Sequence, residues 1–480
     1  MRIQANKLSV LSLSIAAALC SFTATAELDA NDAMNQSVAA VDLTEEAKQA
    51  FYEDSKLNLH TFLYIRDRED RAPGADFKPQ IENQTVQLAF DYRSGYFKDF
   101  IGFDVWGSTL MKIGDTVGQS EILLYDYDCN DDGVQGDACE KTNTSLNIAA
   151  LKMKLGDKDL GFAARAGYTR IDMGTIRSSW GLNPHSYRGA EGKLSVGNFH
   201  VGYAWADQFK NDWTDEFHDM TNAWHQGGMD GLVDANGNPR KPAGKIDFIH
   251  SVGAIYALDN GSIDLGYGQG KDYRDNWQAV VKYGWDLNAE TKLNTTMFYQ
   301  GGKYVEGDLS GVDDASVESY VALGADVKNG GFTYRLAYSQ TDAPDTASYN
   351  FRLTPWANSD NRNFMQTTSQ IEDYNPDGTK AVKLSVDYNF ASWGIPGLSM
   401  GLGGNYGWDV VTDTSVTGDE RTYDGTMYSI DYNIRYRFLE GDLKGLNVNF
   451  FPAYFRSEDT NYKNDRNDMK LMLSYSYNVR

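Results

Sequence analysis

The chain has 480 residues, with 67 Asp and Glu against 44 Lys and Arg and a net charge of −23 at pH 7. So acidic a balance excludes nucleic-acid binding through a basic stripe. Gly 46, Tyr 30, Phe 22 and Trp 10 against Pro 10 and Cys 3 form a strand-and-turn mixture rich in aromatics.

Arg2 and Lys7 form a charged n-region before a short apolar core at residues 8–19, and Ala24-Thr25-Ala26 supplies a small-residue cleavage site. This predicts a signal peptide over 1–26, a mature chain from Glu27 and an exported, oxidising destination. Cys20 follows Leu19 rather than a small residue, which argues against a lipoprotein box. Removing Arg2 and Lys7 leaves 42 basic residues against 67 acidic, a net charge of −25. No later apolar run approaches the roughly 18 residues of a membrane helix. Residues 27–55 read as an N-terminal periplasmic segment, either a tether or a plug. Asp42 and Glu45 there form a capping box for a short helix over 43–51.

From residue 56 to 480 the pattern changes to period two. Leu57, Leu59, Leu63 and Ile65 alternate with Asn58, His60, Tyr64 and Arg66. Phe332, Tyr334, Leu336 and Tyr338 alternate with Thr333, Arg335, Ala337 and Ser339. One apolar face per strand is a half-buried sheet. With a mean hydropathy of −0.51, lipid on one face and water on the other reconcile alternation with charge. Strands are expected near 57–66, 84–93, 100–112, 145–155, 160–170, 191–197, 199–209, 245–258 and 262–269. Nine more are expected near 276–287, 292–302, 316–328, 331–341, 380–390, 398–408, 423–438, 445–456 and 467–478.

Connections alternate between short and long. Short ones include Gly197-Asn198, Asp259-Asn260-Gly261 and Asn329-Gly330; the last two carry the Asn-Gly of a hairpin turn. Long ones run 113–144, 171–190, 210–244 and 342–379. The fold class is therefore all-β: a transmembrane antiparallel β-barrel of about 18 strands over 56–480, with short periplasmic turns and long extracellular loops. Aromatics near strand ends, as in Tyr92, Tyr96, Phe97 and Phe100 or Tyr475 and Tyr477, fit interfacial girdles.

Several segments carry a resemblance. Residues 51–55 leading to Arg66-Asp67-Arg68, then Ser94-Gly95-Tyr96 and Ile101-Gly102-Phe103-Asp104, are similar to the opening strands of the OprD-type substrate-specific outer-membrane porins. Trp180-Gly181-Leu182-Asn183-Pro184-His185-Ser186-Tyr187-Arg188 resembles that family's inward-folded third loop. Leu353-Thr354-Pro355, Asn375-Pro376-Asp377-Gly378 and Asp465-Arg466-Asn467-Asp468 resemble the chitoporin branch. The resemblance implies a loop-narrowed diffusion channel for small nutrients, integral to a Gram-negative outer membrane, either a monomer or a loose homotrimer. It implies outer-membrane lipid, lipopolysaccharide and the barrel assembly machinery as partners. One departure is the ending Asn478-Val479-Arg480, where such barrels usually carry an aromatic.

Charge and aromatics bear on the solute. Loops 113–144 and 210–244 are strongly acidic, giving an acidic mouth that repels anions within about 8 Å. By alternation the lumen receives Lys152, Lys154, Arg165, Lys282, Arg335, Lys383, Arg435 and Arg437, diluted by Asp91, Asp104, Asp326, Asp387 and Asp431. On the loop expected to fold inward, Trp180 and Tyr187 sit beside Arg177, His185 and Arg188. Flat sugar faces stack on such rings. This points to chito-oligosaccharides or related sugars; the alternative is a track for carboxylates, amino acids or small peptides along Arg165, Arg335, Arg435 and Arg437. Trp180 has a second reading, as an anchor of its own loop.

The segment holding Asp128, Cys129, Asn130, Asp132, Asp137 and Cys139 resembles an exported calcium loop, with oxygen ligands at alternate positions. The alternative is an acidic rim with weak ion binding. Otherwise no cofactor is expected. Cys129 and Cys139 are expected to be bridged. Catalysis finds no motif: Gly-x-Ser-x-Gly and His-Glu-x-x-His are both absent, and His218 and His225 read as surface residues before a metal pair. Rival classes are a barrel-scaffold adhesin or outer-membrane enzyme, and a secreted glycan-binding β-sandwich.

Two outcomes are expected. Cysteine labelling of intact cells reaches Asn236→Cys and not Asn329→Cys; the reverse pattern overturns the assignment of ends. Non-reducing peptide mapping recovers Cys129 joined to Cys139, closing a loop worth about 2–3 kcal/mol that is local to the rim, so the barrel survives reduction.

Overall fold

The computed structural model describes residues 43–480 apart from 115, 119–121, 127–138, 179–180, 212, 223–243, 346–351, 355–363 and 416–419. The chain divides into two compact units, Met1–Glu46 and Ala47–Arg480, and the second carries the barrel.

Period-two alternation becomes eighteen antiparallel strands. The first nine are β1 (Lys56–Arg71), β2 (Lys78–Arg93), β3 (Ile101–Lys112), β4 (Asn143–Gly156), β5 (Leu160–Thr169), β6 (Ser186–Val196), β7 (Phe199–Lys210), β8 (Ile249–Leu258) and β9 (Gly261–Gly270). The rest are β10 (Arg274–Asp286), β11 (Thr291–Tyr304), β12 (Glu318–Asn329), β13 (Phe332–Asp342), β14 (Lys380–Asn389), β15 (Leu398–Val410), β16 (Gly425–Arg437), β17 (Asn447–Glu458) and β18 (Asp465–Asn478). Each strand pairs with its sequence neighbours, and β1 pairs with β18 from Asn58↔Asn478 to Arg71↔Asp465. That last ladder closes the barrel and removes both sheet edges.

The outward face is apolar and open: Leu151, Leu336 and Leu384 are 60%, 60% and 67% exposed, as lipid-facing side chains are outside a bilayer. Aromatics flank this band. Tyr283 with Trp285 and Phe332 with Tyr388 lie at the turn end, at centroid distances of 4.7 and 4.4 Å. Tyr406 with Trp408 lies toward the loop end. The turns are tight because Gly197 and Gly330 adopt positive φ, 52° and 54°. In the β4–β5 turn the Asp157 carboxylate accepts the N–H groups of Leu160 and Asp159, which hold it below the usual carboxylate range.

The eighteen expected strands are all present, with shifted ends. β6 starts at Ser186 rather than 191, because Tyr187 and Arg188 pair with Thr169 and Tyr168 of β5. The expected strand 245–258 is broken: Lys245–Ile246 pairs with Met220–Thr221, and Ile246 is buried there. The expected helix is Leu43–Lys48 followed by a π-turn, Gln49–Glu53. Phe51 packs on Phe97 and Phe103, and Gly95 donates to the Ala50 carbonyl at 2.7 Å. Tyr92 and Phe97, expected in a girdle, also hold Phe51.

Two outer loops turn into the barrel. In the first, Asp172–Met173 pairs with Ile176–Arg177. The tip of this hairpin rests on a glycine row across three strands, Gly202↔Gly253↔Gly266. A Cβ on Gly253 would stand 2.6 Å from the Gly174 nitrogen, and one on Gly266 2.8 Å from the Gly174 Cα. Thr175 N–H donates to Ser251 Oγ at 2.8 Å. The loop then crosses to the opposite wall, where Asn183 Oδ1 accepts from Gln87, Ser108 and Trp106 at 2.8, 2.6 and 3.3 Å. Three donors on one buried acceptor pin this end.

Gly253→Val is expected to lift the hairpin tip off the wall. Single-channel recording should show a higher open conductance, with the barrel still heat-modifiable on gels and destabilised by no more than about 1–3 kcal/mol. Unchanged conductance would show that the tip does not narrow the lumen.

Candidate functional site: the constricted lumen

The second inward loop, residues 364–379, lies within the expected outer loop 342–379 and folds into the lumen instead. It is stitched to the wall strand by strand. Thr367 Oγ1 is 2.6 Å from Ser339 Oγ of β13 and 3.4 Å from Tyr320 Oη of β12. Lys383 of β14 donates to the Thr368 carbonyl at 2.5 Å. Gln370 Nε2 donates to the Phe451 carbonyl of β17 at 3.0 Å, and Tyr374 Oη donates to Ser429 Oγ of β16 at 2.9 Å. Farther along, Asp377 pairs with Arg421 at 2.6 Å and Glu372 pairs with Lys463. Residues 366–370 are Gln, Thr, Thr, Ser and Gln. That run of uncharged hydrogen-bonding side chains is unlike the acidic rim loops and is the signal sequence reasoning passed over.

The two inward loops meet on one ring. The Arg177 guanidinium lies 4.6 Å from the Phe364 centroid and pairs with the Asp264 carboxylate of β9. Lys282 of β10 lies 4.9 Å from the same ring, which also packs on Phe298 at 5.5 Å. Cation–π contacts are worth about 0.5–1 kcal/mol where the cation is exposed, as Lys282 is, and up to about 2 kcal/mol where it is desolvated. Arg177 thus lies where the two inward loops meet, with its charge already matched.

Other expected residues are placed differently. Tyr187 is on β6 rather than on the loop and is 3% exposed, in a cluster with Ile171, Ile176 and Phe209; no face is open for stacking. Arg188 falls on the outward side of β6, in register with Tyr168, and forms a two-bond pair with Asp207 at 2.8 and 2.6 Å. A one-residue step along a strand reverses the face, so Arg188 leaves the lumen. His185 packs edge-on to Trp213 at 6.2 Å. Arg165 faces inward and pairs with Glu191 at 2.7 Å, and Arg335 pairs with Asp326 at 2.6 and 2.8 Å. Arg435 lies 5.4 Å over the Phe451 ring, and neither it nor Arg437 has a carboxylate partner among the described residues. Trp180 lies outside the described residues.

The same holds for Asp128, Cys129, Asn130, Asp132 and Asp137. Cys139 is disulfide-bonded. Among the described residues no cluster of three His, Cys, Asp or Glu could hold a metal. His218 is held below its ordinary pKa by burial in the rim, and His225 lies outside the described residues.

Beneath the loops lie two cavities of about 720 and 650 Å³, the size of small-molecule sites. The first is lined by His60, Phe62, Tyr64, Trp106, Leu182 and Met472. The second is lined by Asp326, Arg335, Lys383, Asp387, Asp431 and Arg435. Gln370 and Phe451 line both.

Comparison with known proteins agrees with this architecture. Residues 49–479 match the family model described as outer membrane porin, OprD family. Chitoporin of Escherichia coli strain K12 is 27% identical, over 91% of this chain and 94% of that protein. Porin D of Pseudomonas aeruginosa is 23% identical, over 90% of this chain and 93% of that protein. The crystal structure of OccAB1 from Acinetobacter baumannii superposes with a TM-score of 0.71 at 16% identity, covering 90% of this chain and 98% of that one. Proteins of this family are channels in the Gram-negative outer membrane, not enzymes. The chain belongs to the OprD family of outer-membrane porins.

Proposed function

We propose that the pore is selective for short amino-sugar oligosaccharides of the chitin type, which diffuse between the two inward loops. The observation that carries this reading is the neutralisation of lumen cations. Lys152 pairs with Asp104 at 2.6 Å, Arg165 with Glu191, Arg177 with Asp264 and Arg335 with Asp326. A carboxylate passing these four positions meets matched charge and gains little there over water. A neutral sugar loses nothing there, since paired ions still offer donors and acceptors to its hydroxyls. The similarity to chitoporin supports the same solute class. Trp180, on the first inward loop, would stack the leading ring. The loop at 128–137 is proposed as a calcium site and Cys129 as the partner of Cys139.

A second reading has its own observation. Arg435 and Arg437, with no carboxylate partner among the described residues, could pass carboxylates, amino acids or small peptides along the β16 wall.

Planar-bilayer recording separates the two. In the wild type, chitin oligosaccharides should block the current, and Trp180→Ala should shorten each blockade about ten-fold with open conductance little changed. If small carboxylates or basic amino acids block the wild type and the sugars do not, the sugar reading fails and the β16 arginines become the selective track.

A further inference from the structure

The two cavities beneath the loops differ in chemistry and share only Gln370 and Phe451 among their lining residues. We infer that Phe451 and Gln370 form the contact at which the channel reads its solute: a ring with an apolar face and an edge of hydrogen-bonding groups. This deepens the proposed function and rests on it only for the choice of a sugar as first probe.

Phe451 is on the inward face of β17, in register with Lys470 of β18, and is half-buried, so part of its ring is open. Two other large aromatics of the apolar cavity are shut away, and Tyr475, 38% exposed, lines that cavity but not the polar one. Trp106 is 4% exposed and stacked on His60, and Tyr64 is 6% exposed. Phe62 is also half-buried but lines only the apolar cavity. Phe451 therefore presents the open ring that faces both.

Gln370 is oriented by its own hydrogen bonds. Its amide nitrogen donates to the carbonyls of Phe451 and Asp468 at 3.0 and 3.4 Å. Its backbone N–H donates to Asp431 Oδ2 at 3.1 Å. An amide group has two N–H donors; with both spent on the wall, the carbonyl oxygen is what the side chain offers to a solute. The Arg435 guanidinium supplies donors 5.4 Å from the Phe451 centroid.

The junction thus sets a π-face, one acceptor and one donor group on a rigid strand and a doubly anchored loop. A ring lying on Phe451 turns its apolar face to Phe62 and Leu182 and its polar edge toward Arg435 and Asp431. Two solute chemistries share that shape, a pyranose and a hydroxylated aryl ring. A flexible aliphatic carboxylate has no face to lay down and is not held.

The test uses the full-length wild type and Phe451→Leu, Phe451→Trp and Gln370→Leu in planar bilayers, with a chitin trisaccharide and a hydroxybenzoate as probes. For a ring probe that blocks the wild type, Phe451→Leu should shorten the blockade roughly five- to ten-fold and leave open conductance little changed. Phe451→Trp should restore it. Gln370→Leu should shorten the sugar blockade by several-fold. If the sugar blocks the wild type and its residence survives Phe451→Leu, the junction fails while the sugar reading stands. If only the hydroxybenzoate blocks, and Phe451→Leu shortens it, the sugar reading fails and the junction stands. If neither ring probe blocks the wild type, both fail.

Discussion

In hydrocarbon every backbone N–H and C=O must find a partner within the protein, and a sheet meets that demand only by closing on itself. The β1–β18 ladder, Asn58↔Asn478 to Arg71↔Asp465, is where this chain does so. Most other features depend on it. Closure forces each strand to show one face to lipid and one to water, which puts Leu384 outside and Lys383 inside on successive positions. It also confines variation to the connections. The turns need only Gly and Asn chemistry, and the outer loops are free to become machinery.

The loops take that role by entering the lumen, where their backbone again needs partners. The wall supplies them with small or polar inward residues. Gly202, Gly253 and Gly266 leave room for the 172–177 hairpin. Gln87, Trp106 and Ser108 converge on Asn183. Ser339, Tyr320 and Lys383 hold the second loop. With both loops seated, Arg177 and Phe364 come into contact and the opening takes a defined shape. Each loop is held at several points by the wall, so moving either one breaks buried hydrogen bonds.

Charge in the lumen is abundant and mostly matched. Pairing of Arg165, Arg177 and Arg335 with wall carboxylates keeps the pore wet without making it a strong anion trap. On the reading proposed above, selectivity falls to shape and hydrogen bonding beneath the loops, where an aromatic cavity and a polar cavity share Phe451 and Gln370. Arg435 and Arg437 are the cations least committed to the wall and the natural place for any residual anion preference.

Amino-acid order alone determined the strand count, the two ends and the sign of the lumen-facing positions, because a side-chain period of exactly two is a local property of the backbone. Alternation places Arg335 and Asp431 in the lumen with no tertiary information, and the structure agrees. It misplaced Tyr187 and Arg188, since whether a residue near a loop extends the ladder depends on partners in other strands, here Thr169 and Tyr168. It also took 342–379 for a rim loop, although residues 364–379 fold inward. Loop direction was decided only by tertiary structure: it depends on glycines on β7–β9 and hydroxyls on β12 and β13, far from the loops in sequence, whose complementarity exists only once the barrel has closed.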